Sequence, residues 1–367
     1  MNKENDKIAY FNLLKFIAAL TIAIFLHYGD HLTRLLGVGK PFPNNLFFDY
    51  ITINSYVFVE MFFMISGILF VVAYYNKIAD GLSLKKFIKS RMIRIYPLMI
   101  ITTLYMFLIN IMLFRYNRLL WEGGTLSLWN LFSDLVFTGK TMFNAANTLN
   151  GPIWYLNVLM ICYMIAFVLV KLSNKYNTRY IFLIPVLLGL MIKYSYFSFL
   201  FWNINIARGL ISFFIGIIIS IFLKKYDGYS IKQKKVLKML LLFELLIFFF
   251  LLTRKTGNMY VNDNVLSYTF LVFPELIVIL YDFKILNKIC NTRFFRFLGN
   301  ISFGIYLWNF PILSTFYFLI INKIINIPVL SIEFFLLNIL MHIIVATISY
   351  YLVDKKLVSF IRNKIMK

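Results

Sequence analysis

The first apolar stretch of the chain, residues 8–26, constrains the fold most, because it is long enough to cross most of a membrane. Between Ile8 and Leu26 only Asn12 and Lys15 are strongly polar. About 19 residues at about 1.5 Å each approach the thickness of a hydrocarbon core. The stretch lacks the basic start and small-residue cleavage site of a signal peptide, so we expect a retained transmembrane helix that ends at His27.

The composition extends this conclusion to the whole chain. Of the 367 residues, 61% are apolar and only 14% are charged, and the mean hydropathy is +0.79. Soluble domains are nearer a quarter charged, so we expect an integral membrane protein without a sizeable soluble domain. Cys162 and Cys290 form no disulfide framework, and His27, His31 and His342 do not have the spacing of a metal cluster.

Apolar runs of about 17–25 residues predict an all-α, polytopic membrane bundle of about ten transmembrane helices. We expect one transmembrane domain over residues 1–367. The predicted spans are 8–27, 55–75, 97–114, 153–171, 180–194, 203–223, 236–253, 265–282, 299–321 and 328–353.

The distribution of lysine and arginine sets the expected orientation. With both termini in the cytoplasm, 26 of the 37 basic residues fall on the cytoplasmic side and nine on the opposite side. This is the bias that the positive-inside rule predicts, and it accounts for most of the net charge of +22 without a nucleic-acid partner.

The connection 115–152 is long for a loop between two membrane helices. It contains Trp121, Trp129, Asp134, a Gly123-Gly124 pair and a segment rich in Asn, Thr and Gly from Asn144 to Gly151. A connection of this length is typical of a functional lid or a re-entrant segment, and we expect it on the extracytoplasmic side.

Lys15 and His27 are the first candidate functional residues, because ionisable groups inside membrane spans are costly to bury. The two lie about 18 Å apart along a regular α-helix and about 120° apart around it. His27 is a candidate general base. The alternative is that it only lies in the polar interface, as many histidines at helix ends do.

Glu60 lies among aromatic residues in the second span, beside the small pair Ser66-Gly67, which suits close helix approach. It could orient His27, or it could neutralise Lys15 or Arg208. The two roles are compatible.

A basic segment opens the third span, with Arg91 and Arg94 three residues apart on one helix face and Lys89 nearby. Arginine pairs bind phosphate well. The alternative is ordinary anchoring to anionic lipid.

Two further segments contain clustered polar or aromatic residues. Trp154 and Tyr163 follow the point at which the long connection re-enters the membrane, where such residues are common. The ninth span contains Ser302, Tyr306 and Asn309 together with internal Gly and Pro, which indicates a helix that lines a cavity.

Together and in this order, these segments resemble the type-3 membrane acyltransferase family, from Leu13 to about Leu313. The resemblance implies transfer of an acyl group, most often acetyl from acetyl-CoA, to a hydroxyl of an envelope glycan or a small molecule. No permanently bound cofactor is implied. The residues that match the family segments are Glu60, Ser66, Gly67, Arg91, Arg94, Pro97, Trp154, Tyr163, Ser302 and Tyr306.

Two positions depart from the family pattern. Lys15 replaces the usual arginine and lies one residue further from its histidine than is common. Asn309 occupies the position of a second histidine, so any role of that histidine is absent or is taken by an amide.

The resulting hypothesis places acyl-CoA phosphates at Arg91 and Arg94, its pantetheine arm beside Lys15, and His27 as the base. Arg208 or Ser302 would meet the oxyanion. Rival hypotheses are a transporter or flippase of a lipid-linked saccharide, and an envelope oligosaccharide polymerase that uses Arg34, Arg115, Arg118 and Arg254. We expect location in the bacterial inner membrane.

Overall fold

The computed structural model describes residues 7–43, 45–116, 126–136, 148–195, 202–254 and 264–365. The structure is 84% helical, and these residues contain no β-strand. Seven helices are long and apolar enough to cross a membrane. They are α1 (Phe11–Leu35), α2 (Phe47–Ala79), α3 (Leu84–Arg115), α5 (Ile153–Lys175), α7 (Ile204–Asp227), α11 (Arg293–Ile321) and α12 (Ile332–Lys364).

The remaining helices are shorter except α8 (Ile231–Arg254), which has 24 residues and a lysine-rich first half. The shorter ones are α4 (Leu128–Leu135), α6 (Tyr180–Tyr194), α9 (Val265–Tyr281) and α10 (Lys284–Cys290). The all-helical membrane architecture is therefore confirmed. The count of ten spans and the cytoplasmic placement of both termini remain predictions.

The first helix is longer than its sequence predicted, and the prediction that it ends at His27 was wrong. It continues to Leu35, and residues Ile22–Leu32 form a π-helix with i→i+5 hydrogen bonds. The extra turns stay inside the bundle because Tyr28 and Leu32 are fully buried and the Tyr28 hydroxyl donates to the carbonyl of Val329 at 2.8 Å.

Helices α2 and α7 cross in direct backbone contact through two glycines. A Cβ atom at Gly67 would lie 2.0 Å from the carbonyl oxygen of Phe213, and one at Gly216 would lie 2.1 Å from that of Met64. The small face predicted at Ser66-Gly67 is thus confirmed. This crossing fixes the separation of the two helices that carry Glu60 and Arg208.

Helix α11 lies at the centre of the second half of the bundle and packs against α1, α3 and α12. Gly299 allows close approach of Asn12, and Gly304 allows close approach of Ala346. The helix is continuous through Pro311. Its central residues are consequently held against the π-helical part of α1.

The described part of the connection between α3 and α5 packs against the middle of α3. The Tyr96 hydroxyl of α3 donates to the carbonyl of Leu135 at 2.8 Å, and Tyr96 lies 12 residues after the first residue of the 32-residue α3. Asp134 accepts the backbone N–H groups of Leu149 and Asn150 at 2.8 and 3.4 Å. The side chain of Asn150 donates to the carbonyl of Leu307 at 3.2 Å.

These contacts place α4 beside α3 and connect the residues before α5 to α11. The extracytoplasmic or re-entrant position of the connection stays a prediction. The exposed face of α4 is apolar, with Leu128, Trp129 and Phe132 more than half exposed. Trp121, Gly123, Gly124 and Asn144 lie outside the described residues.

Candidate active site

His27 lies in the π-helical part of α1 and is 7% exposed. An i→i+5 helix turns each residue through less than the 100° of an α-helix, so the 120° separation expected between Lys15 and His27 is reduced. The π-helix therefore brings these side chains nearer to one face of α1. Such segments are frequent at functional sites.

A cavity of about 180 Å³, here called the histidine cavity, opens beside the imidazole. It is lined by residues of five helices, which include His27 and His31 of α1, Tyr56 of α2, Trp154 of α5, Arg208 of α7 and Tyr306 of α11. Gly151, Pro152 and Phe310 complete much of its surface. The structure thus brings together four of the predicted site residues, namely His27, Arg208, Tyr306 and Trp154.

Glu60 reaches the site through Arg208. Both of its carboxylate oxygens accept hydrogen bonds from the guanidinium, with Nη2 and Oε2 3.0 Å apart, and Glu60 is fully buried. Nη2 also donates to the carbonyl of Tyr56, and the guanidinium lies 4.8 Å from the ring centroid of Trp154. Of the roles proposed for Glu60, neutralisation of Arg208 is the one for which the structure provides contacts.

His27 also contacts two residues of α11, one of which connects it to α12. The amide Nδ2 of Asn309 lies 2.5 Å from Nδ1 of His27, and its Oδ1 lies 3.4 Å from Nε2 of His342. Nδ1 of His342 lies 2.8 Å from the carbonyl oxygen of Asn338. Phe310 packs edge-on against the His27 ring at 4.7 Å. The amide at position 309 thus occupies a place next to the candidate base.

A second group of residues, here called the cationic cluster, consists of Lys15, Arg91 and Arg94. Lys15 lies close enough to Arg94 for their charges to interact. Arg94 forms an ion pair with Asp354 at 2.9 Å, and Arg91 lies 4.5 Å from the ring centroid of Tyr74 and is hydrogen-bonded to its hydroxyl. Lys89 is exposed on the outer face of α3. Arg94 is thus the member of the cluster for which the structure gives an ion pair with a carboxylate.

A series of hydroxyl side chains, here called the hydroxyl seam, runs between the two groups. The rings of Tyr306 and Tyr155 lie 5.5 Å apart, and the hydroxyls of Tyr155 and Ser66 are hydrogen-bonded at 3.0 Å. Tyr163 lies beside both Ser66 and Arg91. The seam therefore begins at the histidine cavity and ends at the cationic cluster.

Not every predicted residue joins these groups. The hydroxyl of Ser302 is buried and donates to the carbonyl of Gly299 at 2.8 Å, and Ser302 does not line the histidine cavity. His31 and Tyr56 line it although the sequence reasoning assigned them no role. The four-residue spacing of His27 and His31, whose rings are 5.0 Å apart, was the available signal for His31.

Comparison with known proteins gives one match. The model of the acyltransferase 3 family, described as an acyltransferase domain, matches residues 8–353. The match includes every residue of the histidine cavity, the hydroxyl seam and the cationic cluster. No curated protein and no solved structure is significantly similar to the chain.

Proposed function

The chain belongs to the acyltransferase 3 family, and from this premise we propose that it is a membrane O-acyltransferase that uses acyl-CoA. It transfers an acetyl group to a hydroxyl of a cell-envelope glycan or a related acceptor. The observation that carries the proposal is that His27, Arg208 and Tyr306 line one cavity, and that packed hydroxyl side chains lead from Tyr306 to the cationic cluster.

His27 acts as the general base in this proposal. Its ring takes the proton of the acceptor hydroxyl while the hydroxyl oxygen attacks the carbonyl carbon of the thioester. The carbon–sulfur bond then breaks, and the imidazolium returns the proton to the departing thiolate of CoA. General-base assistance of this kind contributes roughly 10²–10⁴ in rate.

Arg208 is the proposed oxyanion partner, because its guanidinium lines the same cavity as His27. Fixed donors in a site that excludes water stabilise developing negative charge more strongly than donors in solution. Glu60 and Trp154 hold the guanidinium in place. Ser302, the other sequence candidate for this role, has its hydroxyl bonded to Gly299 and is not assigned it.

The cationic cluster is the proposed binding site for the phosphates of CoA. Arginine binds phosphate through paired N–H donors, and Arg91 and Lys15 add positive charge to the ion pair of Arg94 with Asp354. The pantetheine arm would follow the hydroxyl seam to His27. The distance from Lys15 to His27 along a regular α-helix is about 18 Å.

The acceptor is proposed to enter from the opposite side. A cavity of about 340 Å³ shares Tyr56 and Arg208 with the histidine cavity, and Lys193, Ser212 and Thr269 contribute polar groups to it. A polyhydroxylated ring suits such a lining. This arrangement, together with the charge bias of the loops, supports transfer to the extracytoplasmic side of a bacterial inner membrane.

Incubation of the purified protein in detergent with radiolabelled acetyl-CoA tests the proposal. We expect release or transfer of the label by the native chain and none above background by His27→Ala, with both proteins eluting alike in size-exclusion chromatography. Full activity of His27→Ala would contradict the assignment of the base. Absence of label turnover in the native chain, combined with saccharide transport in vesicles, would favour a transporter.

A further inference from the structure

Asn309 bridges two imidazoles inside the helical bundle. All three residues are buried, with exposures of 7% for His27 and 0% for Asn309 and His342. An amide has one end that donates hydrogen bonds and one that accepts them. A 180° rotation about its last torsion exchanges the two ends without moving other atoms, so hydrogen bonding decides which end faces which ring.

The bond from His342 to the backbone resolves this choice. A carbonyl oxygen can only accept, so Nδ1 of His342 must carry the proton that it donates to Asn338. If Oδ1 of Asn309 faced Nε2 of His342, both nitrogens of that ring would have to donate, and the imidazole would be cationic between two neutral oxygens. A buried charge without a counter-charge is costly.

The opposite amide orientation satisfies the contacts of Asn309 with both rings while both rings are neutral. Nδ2 of Asn309 then donates to Nε2 of His342, and Oδ1 faces Nδ1 of His27 and accepts its proton. A neutral imidazole with the proton on Nδ1 has a free lone pair on Nε2. Because Nδ1 is occupied by Asn309, Nε2 is the nitrogen left to act as the base in the histidine cavity.

We propose that Asn309 and His342 are positioning residues that fix His27 in the Nδ1–H tautomer through the carbonyl of Asn338. This proposal rests on the proposed function for its catalytic meaning, but the tautomer itself is a property of the folded protein. It also gives the amide at position 309 a role: Asn309 transmits to His27 the proton position that the backbone imposes on His342.

The direct test is nitrogen NMR of the native protein in lipid bilayers with ¹⁵N-histidine. The chain has three histidines, so single variants of His31 and His342 suffice to assign the signals. We expect His27 and His342 each to carry the proton on Nδ1 in the neutral state. Protonation of His27 on Nε2 would overturn the proposal whether or not the protein transfers acetyl groups.

Kinetic variants provide the second test. Asn309→Leu removes the acceptor for Nδ1–H, and we expect kcat to fall about 10–100-fold, within the range of general-base effects, with an unchanged KM for acetyl-CoA. His342→Leu should lower kcat about tenfold, whereas His342→Gln, which keeps an acceptor for Asn309, should stay within about threefold of the native value.

The outcomes separate this proposal from the proposed function. Equal kcat values for His342→Leu and His342→Gln, or native kcat for Asn309→Leu, would refute the positioning role while leaving acetyl transfer in place. An inactive native protein whose NMR spectrum shows the Nδ1–H tautomer would refute the transferase and leave the hydrogen-bond chain established.

Discussion

The ion pair of Glu60 and Arg208 provides the sharpest quantitative prediction. Two unit charges 3.0 Å apart attract by about 5–6 kcal/mol at an effective dielectric constant of about 20. Desolvation offsets much of this attraction in the intact pair. Removal of one partner, however, leaves the other charge buried and uncompensated, which costs about 3–5 kcal/mol.

We therefore expect Glu60→Leu and Arg208→Met each to destabilise the protein by about 3–5 kcal/mol, and the double variant to recover most of this loss. Thermal unfolding in detergent, followed by tryptophan fluorescence, measures the stability of all four proteins. The double variant should nevertheless be inactive in acetyl transfer, because Arg208 is missing from the histidine cavity.

Each part of this reasoning has its own refutation. If Arg208→Met is as stable as the native protein, removal of Arg208 does not leave Glu60 as an uncompensated buried charge. If the losses of the single variants simply add in the double variant, the two residues are not energetically coupled. A stable and active double variant would remove Arg208 from the proposed site.

Two further predictions concern the cationic cluster and the helix crossing. Arg91→Ala should raise the KM for acetyl-CoA about tenfold or more, because a phosphate contact is lost. Lys85→Ala removes the same charge from the exposed start of α3 and should leave the KM near the native value in the same assay. Gly67→Ala should destabilise the fold by about 1–3 kcal/mol, because its Cβ would lie 2.0 Å from the carbonyl oxygen of Phe213. At Gly39 a Cβ would have no atom within 4 Å, so Gly39→Ala should have no measurable effect on thermal unfolding. Equal effects within either pair would contradict the placement of that residue.

The sequence predicted the all-helical membrane architecture because the length of an apolar run is a property of the chain itself. It also identified His27, Arg208, Tyr306 and Trp154, since polar and aromatic residues inside spans are uncommon. These four do line one cavity.

The end of α1 and the partners of His27 could not be predicted in the same way. Hydropathy does not distinguish a π-helix from an α-helix, and the sequence predicts an end at His27 where the helix continues to Leu35. The partner of Glu60 depends on which helices cross, and the sequence left Lys15 and Arg208 as equal choices. His342 is 33 residues from Asn309, and only the packing of α11 on α12 brings them together.

The glycine crossing of α2 and α7 has a consequence for the size of the histidine cavity. Gly67 lies seven residues from Glu60, and Gly216 lies eight residues from Arg208, which corresponds to about 10–12 Å along each helix. The crossing thus sets the distance between the segments of α2 and α7 that carry Glu60 and Arg208. A slightly bulkier residue at the crossing would move these two segments apart. Substitutions at the crossing would therefore change the size of the histidine cavity through positions that do not line it.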